Sequence, residues 1–413
     1  MNKIIDIFAR AYQKKLTLIV IRTLRVLFPL ILLGSFAEVI KLTFLTPTGY
    51  IATLFAVPDW LPFVDVIARI LGTIYHCTID LIALYSAYAI AYQTAKAYQL
   101  DPALPSLLGG ASFILLAYRP NGQNVIGFNE RLLSQGMLIA LVCGYVSVRL
   151  LLFVQKKLKK TQNAQIVTIT LILLGAAVLN YLLRLLGELE VPTYVASTIM
   201  KNTAGNAFLY VVLLGFLTDL LSFIGMGGPF SMSPTFTDAT SFANLNHALK
   251  TGSAYGVPYP FTDTTLFHSY ANFGGNGVLL ALVIAIALTA KTADHKYKSV
   301  TKWSLFPTLF NNHYPLMLGL PILFNPLLFI PFILAPLVNM LIAGAFIALD
   351  WIPTAAYPVP AGTPGPLIAF IGTNGNFLAL GLGILLLILD VLLYLPFVKL
   401  AEKIKQRAGE YDV

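Results

Sequence analysis

The chain has 413 residues, 57% hydrophobic and only 11% charged, with mean hydropathy +0.78 and a net charge of +9. A water-soluble domain carries about a quarter charged residues, so this composition excludes a soluble enzyme and indicates an integral membrane protein. The positive balance does not point to nucleic acid. Its Lys and Arg gather at the ends of apolar stretches, where the positive-inside rule accounts for them.

In chain order, "MNKIIDIFARAYQKK" (1–15) is amphipathic and basic with no cleavage-type sequence after it, which predicts an interfacial helix kept in the mature protein. Apolar segments at about 20–42, 65–95, 104–118, 133–154, 166–186 and 207–226 then predict membrane-spanning helices, not barrel strands, because they lack alternation. A helix closes its own backbone hydrogen bonds within one span. Basic clusters mark cytoplasmic ends: Lys3/Arg10/Lys14/Lys15, Arg149/Lys156/Lys157/Lys159/Lys160, Lys291/Lys296/Lys298/Lys302 and Lys399/Lys403/Lys405/Arg407. With the amino end inside, four spans return the chain to the inside at Lys156. Asp65 and Arg69 are spaced to pair on one helix face. Cys77 and Cys143 read as reduced core residues, with no disulfide framework or metal spacing.

The second half is less regular. Residues 233–260 are too polar for a lipid-facing helix, whereas 276–291, 332–350 and 376–398 read as spans. Between them, 304–326 and 357–376 are punctuated by Pro and Gly. Irregular backbone at membrane depth survives only where it is buried in protein or lines a cavity, and in transporters it points to the substrate site. Counting 233–250 gives ten spans with both termini cytoplasmic. The halves divide at 1–205, suited to scaffold and dimer contacts, and 206–413, suited to transport.

The stretch "FTDTTLFHSYANFGGNGVLLALVI" (261–284) reads as a cavity wall whose glycines open the turn before a span. Asn272 and Gly274 are binding candidates there; an amide can donate and accept but cannot act as a base. His268 and His313 are candidate imidazoles, set against the plainer reading of satisfied cavity or interfacial residues. His247, beside Asn244 and Asn246, reads as structural. Tyr255, Tyr259 and Tyr270 suit stacking on a sugar ring, although interfacial tyrosines are expected in any case. Asp219 has no obvious local partner, and an ionisable group within a span is a functional candidate by default.

Four stretches carry a resemblance to a known family: "VLFPLILLGSF" (26–36), "LIALYSAYAIAYQTAKAYQLDPALPSLLGGASFILL" (81–116), "LGLPILFNPLLFIPFILAPLVN" (318–339) and "LLYLPFVKLAEK" (392–403). They resemble the membrane subunit, enzyme IIC, of the bacterial sugar phosphotransferase system in its lactose/cellobiose/diacetylchitobiose branch. The resemblance implies an all-α transporter fold with about ten spans and re-entrant hairpins, a homodimer in the cytoplasmic membrane, and a saccharide carried by the transport half. It also implies phosphorylation of the sugar by a partner IIB protein, itself charged by IIA, and no cofactor. In the family a His in a Gly-Ile-His-Gly element and a Glu in an Asn-Glu-Pro element contact the sugar. Here "SFIGMGG" (222–228) has Gly227 in the His place, and Tyr314 stands before Pro315 with His313 in the Asn place, Asn312 preceding it. Ala361 stands for a family Trp in "VPAGTPGP", which includes Thr363, while "FGGNG" (273–277) resembles the family's Gly-Gly-Ser-Gly turn.

The fold elements of that family are thus kept while its chemistry-bearing positions are changed. Two readings follow. The first is a sugar-transporting IIC working with separate IIB and IIA proteins, with no IIB-like domain expected after the last span. The alternative is a IIC-derived facilitator, solute receptor or immunity-type membrane protein that does not phosphorylate. An unrelated ion-coupled carrier would want paired carboxylates in the transport half, where only isolated Asp residues are evident.

Overall fold

The computed structural model describes residues 10, 13–119, 127–157, 162–188, 206–231, 239–289 and 295–408. Most of the amphipathic amino-terminal stretch, and residues 233–238 of the polar segment, lie outside the described residues. Apolar chain must pair its backbone internally in lipid, and it does so here as helix. The structure is an all-α membrane protein. Among the described residues, five helices are long and apolar enough to cross a bilayer: Lys15–Leu45, Met137–Gln155, Gln165–Leu185, Pro326–Ala348 and Phe377–Ile404. Val64–Thr78 and Ile82–Ala97 form a further pair bent by 42°. Three shorter apolar helices, Ala103–Ala117, Ala207–Phe223 and Leu279–Leu288, complete a set close to the number expected from the sequence. Ala239–Thr251 has only 13 residues, roughly 20 Å of helix at 1.5 Å per residue, short of a bilayer core of about 30 Å.

The bend after Thr78 leaves helix-end carbonyls without intrahelical partners, and the Tyr85 hydroxyl donates to the Cys77 carbonyl at 2.8 Å. His76 and Asp80 meet at 2.6 Å across the same bend. The expected Asp65–Arg69 pair is not formed. Both side chains are exposed, where an ion pair gains little and must immobilise two flexible chains. Cys77, expected in the core, is exposed at the bend, while Cys143 is half-buried against the Ala83/Ala87/Phe113 cluster.

The helices sort into two packed units. One gathers Arg10–Ile31 and the described residues of His76–Asn202; the other gathers Leu32–Tyr75 and the described residues of Thr203–Val413.

In the first unit, Ile82–Ala97, Ala103–Ala117 and Met137–Lys157 pack on small residues: Ala83, Ala87, Ala117 and Ala140 are buried around Phe113. Gly144 lies against the Ala87 carbonyl, an approach any side chain would block. Such small-residue seams let membrane helices touch closely where no hydrophobic effect drives them together. Asn180 donates to the carbonyls of Leu116 and Tyr118 at 2.6 and 2.8 Å, pairing the end of the 103–117 helix. At one face of this unit Lys15 sits 3.5 Å over the Tyr98 ring, and the Arg149 guanidinium also donates to the Tyr98 hydroxyl. The basic ends of the first span and of Met137–Lys157 therefore share one face, as the charge parity requires.

In the second unit a π-helical segment, Thr264–Ala271, is buried along nearly its whole length. Asn339, on the Pro326–Ala348 helix, donates to the Tyr270 carbonyl at 3.0 Å and to Asp390 at 2.8 Å. The turn after this segment is clamped at Gly277, whose N–H donates to Asp219 at 3.1 Å and whose carbonyl accepts from the Tyr394 hydroxyl at 2.6 Å. Asp219, isolated in the sequence, thus finds its partner 58 positions along the chain. Gly277 has φ +74°, and a Cβ there would overlap the Phe332 ring.

Gly277→Ala should therefore lower stability by about 1–3 kcal/mol for the forced fit and about 1 kcal/mol for left-handed backbone. Thermal unfolding in detergent checks this, with the mid-helix Gly381→Ala, whose Cβ meets nothing within 4 Å, as the control expected to hold or slightly raise the midpoint.

Candidate functional site

The His295–Leu309 helix contains Pro307 and gives way to an irregular loop, with Asn312 N–H folding back onto the Pro307 carbonyl at 2.9 Å. Asn311 has φ +66°, a left-handed conformation that Asn tolerates better than most residues. Its side chain then reaches two other irregular segments. Asn311 Oδ1 accepts from Gly274 N–H at 2.9 Å, and Nδ2 donates to the Thr363 carbonyl at 2.7 Å. Segments 272–275, 311–314 and 360–363 meet at this one amide.

Further contacts extend the group. His313 stacks on Tyr314 with ring centroids 4.7 Å apart, and Gly275 lies against the His313 ring, where a Cβ would collide. Pro315 then starts the short helix Tyr314–Gly319, a position where its missing N–H costs nothing. Asn312 donates through Nδ2 to Glu38 Oε2 at 2.5 Å. From the same stretch of helix Phe36 stacks on Phe306 at 5.2 Å and Phe44 meets Phe310 edge-on at 5.9 Å. The 360–363 segment is strapped to the first span's end: Ala361 exchanges backbone hydrogen bonds with Thr48 and Tyr50, and Gly362 lies on Thr43.

The expected residues fall into two groups. Asn272, Gly274, Asn312, His313, Tyr314 and Thr363 lie in the segments that meet at Asn311. Thr363 contributes through its carbonyl, because its hydroxyl is engaged by Pro360 O at 2.8 Å. Asn272 Oδ1 and Thr308 Oγ1 are buried without a hydrogen bond, and Thr308 touches the Gly274 position. His268 and Gly227 lie outside those three segments.

His268 is held in the π-helical segment with Nε2 buried and unpaired, beside Phe267. Gly227 lies in the turn after Phe223, where Gly228 donates to Ser231 Oγ at 2.6 Å and rests on Thr218. Tyr270, considered for sugar stacking, is fully buried in the protein core and has no face to offer; Tyr255 and Tyr259 remain exposed. His247 lies beside Asn244, whose amide pairs both backbone groups of Tyr259 at 2.7 and 3.0 Å. A cavity of about 330 Å³, lined by Phe261, Asp350 and Thr354 among others, lies elsewhere in this unit, and of the residues singled out from the sequence it includes Tyr255.

Two site residues were not singled out from the sequence, Asn311 and Glu38. Glu38 did carry a signal, as an acidic residue within the apolar first span. Asn311 carried none beyond its neighbours, since its role depends on partners 37 and 52 positions away. The group offers amides, an imidazole, a carboxylate and flat aromatic rings. Such a set suits a neutral polyhydroxyl ligand, apolar faces giving contact and a few placed polar groups giving orientation.

Asn311→Ala should leave Gly274 N–H and the Thr363 carbonyl without partners, at about 1–3 kcal/mol for each. Hydrogen exchange should then quicken in both 272–275 and 360–363 while 137–157 is unchanged; loosening of only one segment would contradict the shared tie.

The family model described as "Phosphotransferase system, EIIC" matches residues 21–336. The lactose-specific EIICB component of the phosphotransferase system from Staphylococcus epidermidis is 28% identical over 309 residues, covering 70% of this chain and 52% of that protein. The corresponding protein of Staphylococcus haemolyticus is 27% identical over 57% of this chain and 41% of its own length. The chain thus spans about half the length of the curated relatives it matches. Among solved structures, the transporter ChbC, the IIC component of the N,N'-diacetylchitobiose-specific phosphotransferase system, is 23% identical over 97% of both chains, with a TM-score of 0.44. With the family model covering most of its length, this chain belongs to the phosphotransferase system EIIC family.

Proposed function

We propose that this chain binds a saccharide of the lactose and diacetylchitobiose class in its carboxy-terminal half and carries it across the bacterial cytoplasmic membrane. The observation that carries the reading is the meeting of 272–275, 311–314 and 360–363 at Asn311, in a chain of the EIIC family. The relatives are named as fused EIICB components, which supports IIB and IIA proteins as partners. Both termini face the cytoplasm in this reading, in keeping with Lys15 and Arg149 sharing one face.

The proposed halves divide the sequence and not the packing, since Leu32–Tyr75 belongs to the carboxy-terminal unit. Residues 1–205 serve mainly as scaffold and dimer contact, and 206–413 carry the solute. The Gln165–Leu185 helix leaves most of its apolar window unburied within the chain, a face open to lipid or to a second copy. Cysteine cross-linking between copies should trap contacts in this amino-terminal half, and cross-links confined to residues beyond 230 would overturn the assignment.

A second reading is favoured by one observation: the positions resembling the family's His and Glu are Gly227 and Tyr314. Glycine offers no side chain and tyrosine is a poor base at neutral pH. General acid–base assistance contributes about a hundred- to ten-thousand-fold in rate, so losing both groups leaves transport with little phosphorylation. Uptake into vesicles supplied with phosphorylated IIB tests both readings. Unmodified saccharide equilibrating across the membrane is the expected result. Sugar phosphate accumulating at the rate of a coupled EIIC system would reject the uncoupled reading, and no saccharide uptake at all would reject the transport function.

A further inference from the structure

Glu38 is an acidic side chain placed well inside a 31-residue apolar span, Lys15–Leu45. A carboxyl group there is costly if it faces lipid, so such residues turn toward protein or a water-filled cavity. Glu38 turns toward protein: it is half-buried and takes the Asn312 amide at 2.5 Å. One turn earlier on the same face, Ser35 is fully buried with its hydroxyl unpaired. The helix widens into a π-helical segment two residues beyond Glu38, at Ile40–Leu45, a departure often found at functional sites. From this short stretch of helix, Phe36 and Phe44 reach the rings of Phe306 and Phe310, Glu38 reaches Asn312, and Thr43 reaches Gly362. The first span thus closes against two of the three segments that meet at Asn311.

We propose that Glu38 is the saccharide-binding carboxylate of this site, accepting hydrogen bonds from sugar hydroxyls and selecting neutral over anionic saccharides. The inference rests on the saccharide reading given above. A carboxylate has room for several donors, and hydroxyl groups bond to it about twice as strongly as to a neutral oxygen. Asn312 fixes its direction. The same negative charge repels an acidic sugar in a low-dielectric setting, where little water screens it.

The test uses the purified full chain in nanodiscs, titrated calorimetrically with lactose, N,N'-diacetylchitobiose and the acidic lactose derivative lactobionate. Glu38→Gln keeps an oxygen that can accept from Asn312 but removes the charge. Its unfolding midpoint without ligand should match the wild type while affinity for the neutral saccharide falls at least about tenfold, the size expected for one charged hydrogen bond. Glu38→Asp, one methylene shorter, should lose less. Lactobionate should bind the wild type far more weakly than lactose, and Glu38→Gln should narrow that gap.

Three results would overturn the proposal. One is equal affinity of the wild type and Glu38→Gln. A second is a fall in affinity matched by a fall in unfolding midpoint, which would make the Asn312 contact a structural tie only. The third is lactobionate binding the wild type as well as lactose does. A wild type that binds no saccharide at all is a separate failure, one that removes the functional reading itself.

Discussion

Unpaired backbone polar groups are not tolerated in an apolar setting, and the carboxy-terminal unit of this protein depends on meeting that constraint away from regular helix. Three side-chain amides do most of it. Asn311 ties Gly274 to Thr363, Asn339 takes the carbonyl at Tyr270, and Asn244 pairs both backbone groups of Tyr259. Asp219 and Tyr394 add a clamp on the two backbone groups of Gly277. An amide is well matched to this work, since it is uncharged and presents a donor and an acceptor a short distance apart. Backbone released from helix in this way is also backbone available to a solute, which links the pairing pattern to the transport role.

The two Asp residues illustrate how far topology changes a reading. In sequence Asp219 and Asp390 are far apart and alone. In the fold Asp219 shares Gly277 with Tyr394, and Tyr394 stands one helical turn from Asp390, which in turn holds Asn339. A chain of polar contacts therefore runs through three helices of this unit. Its three hydrogen bonds cross 51 to 117 positions of sequence, too far to be seen by spacing, and only the step from Tyr394 to Asp390 is local.

The spans were legible because an apolar run of about 20 residues has few alternatives in lipid, and the broken segments because Pro and Gly interrupt such runs visibly. The gathering of 272–275, 311–314 and 360–363 was foreshadowed only by that irregularity. Pairwise detail was not legible. The Asp65–Arg69 spacing suggested an ion pair that exposed side chains do not form, and Tyr270, a candidate for stacking on a sugar ring, is turned fully inward. Glu38 was passed over because it sits among residues that otherwise describe an ordinary span. Its meaning depends on Asn312, which reaches it from 274 positions away.

Asn311 narrows the residue alphabet at its position almost to one letter. Its left-handed φ of +66° disfavours branched and bulky side chains, while its two ties require a donor and an acceptor on the same short stem. Aspartate has the shape but no donor for the Thr363 carbonyl, and glycine has the backbone freedom but neither group. Glutamine carries both groups on a stem one methylene too long. Because both partners are backbone groups, which almost any residue at 274 or 363 would still present, substitution there cannot make good the loss of Asn311, and 311 is expected to vary least of the three positions.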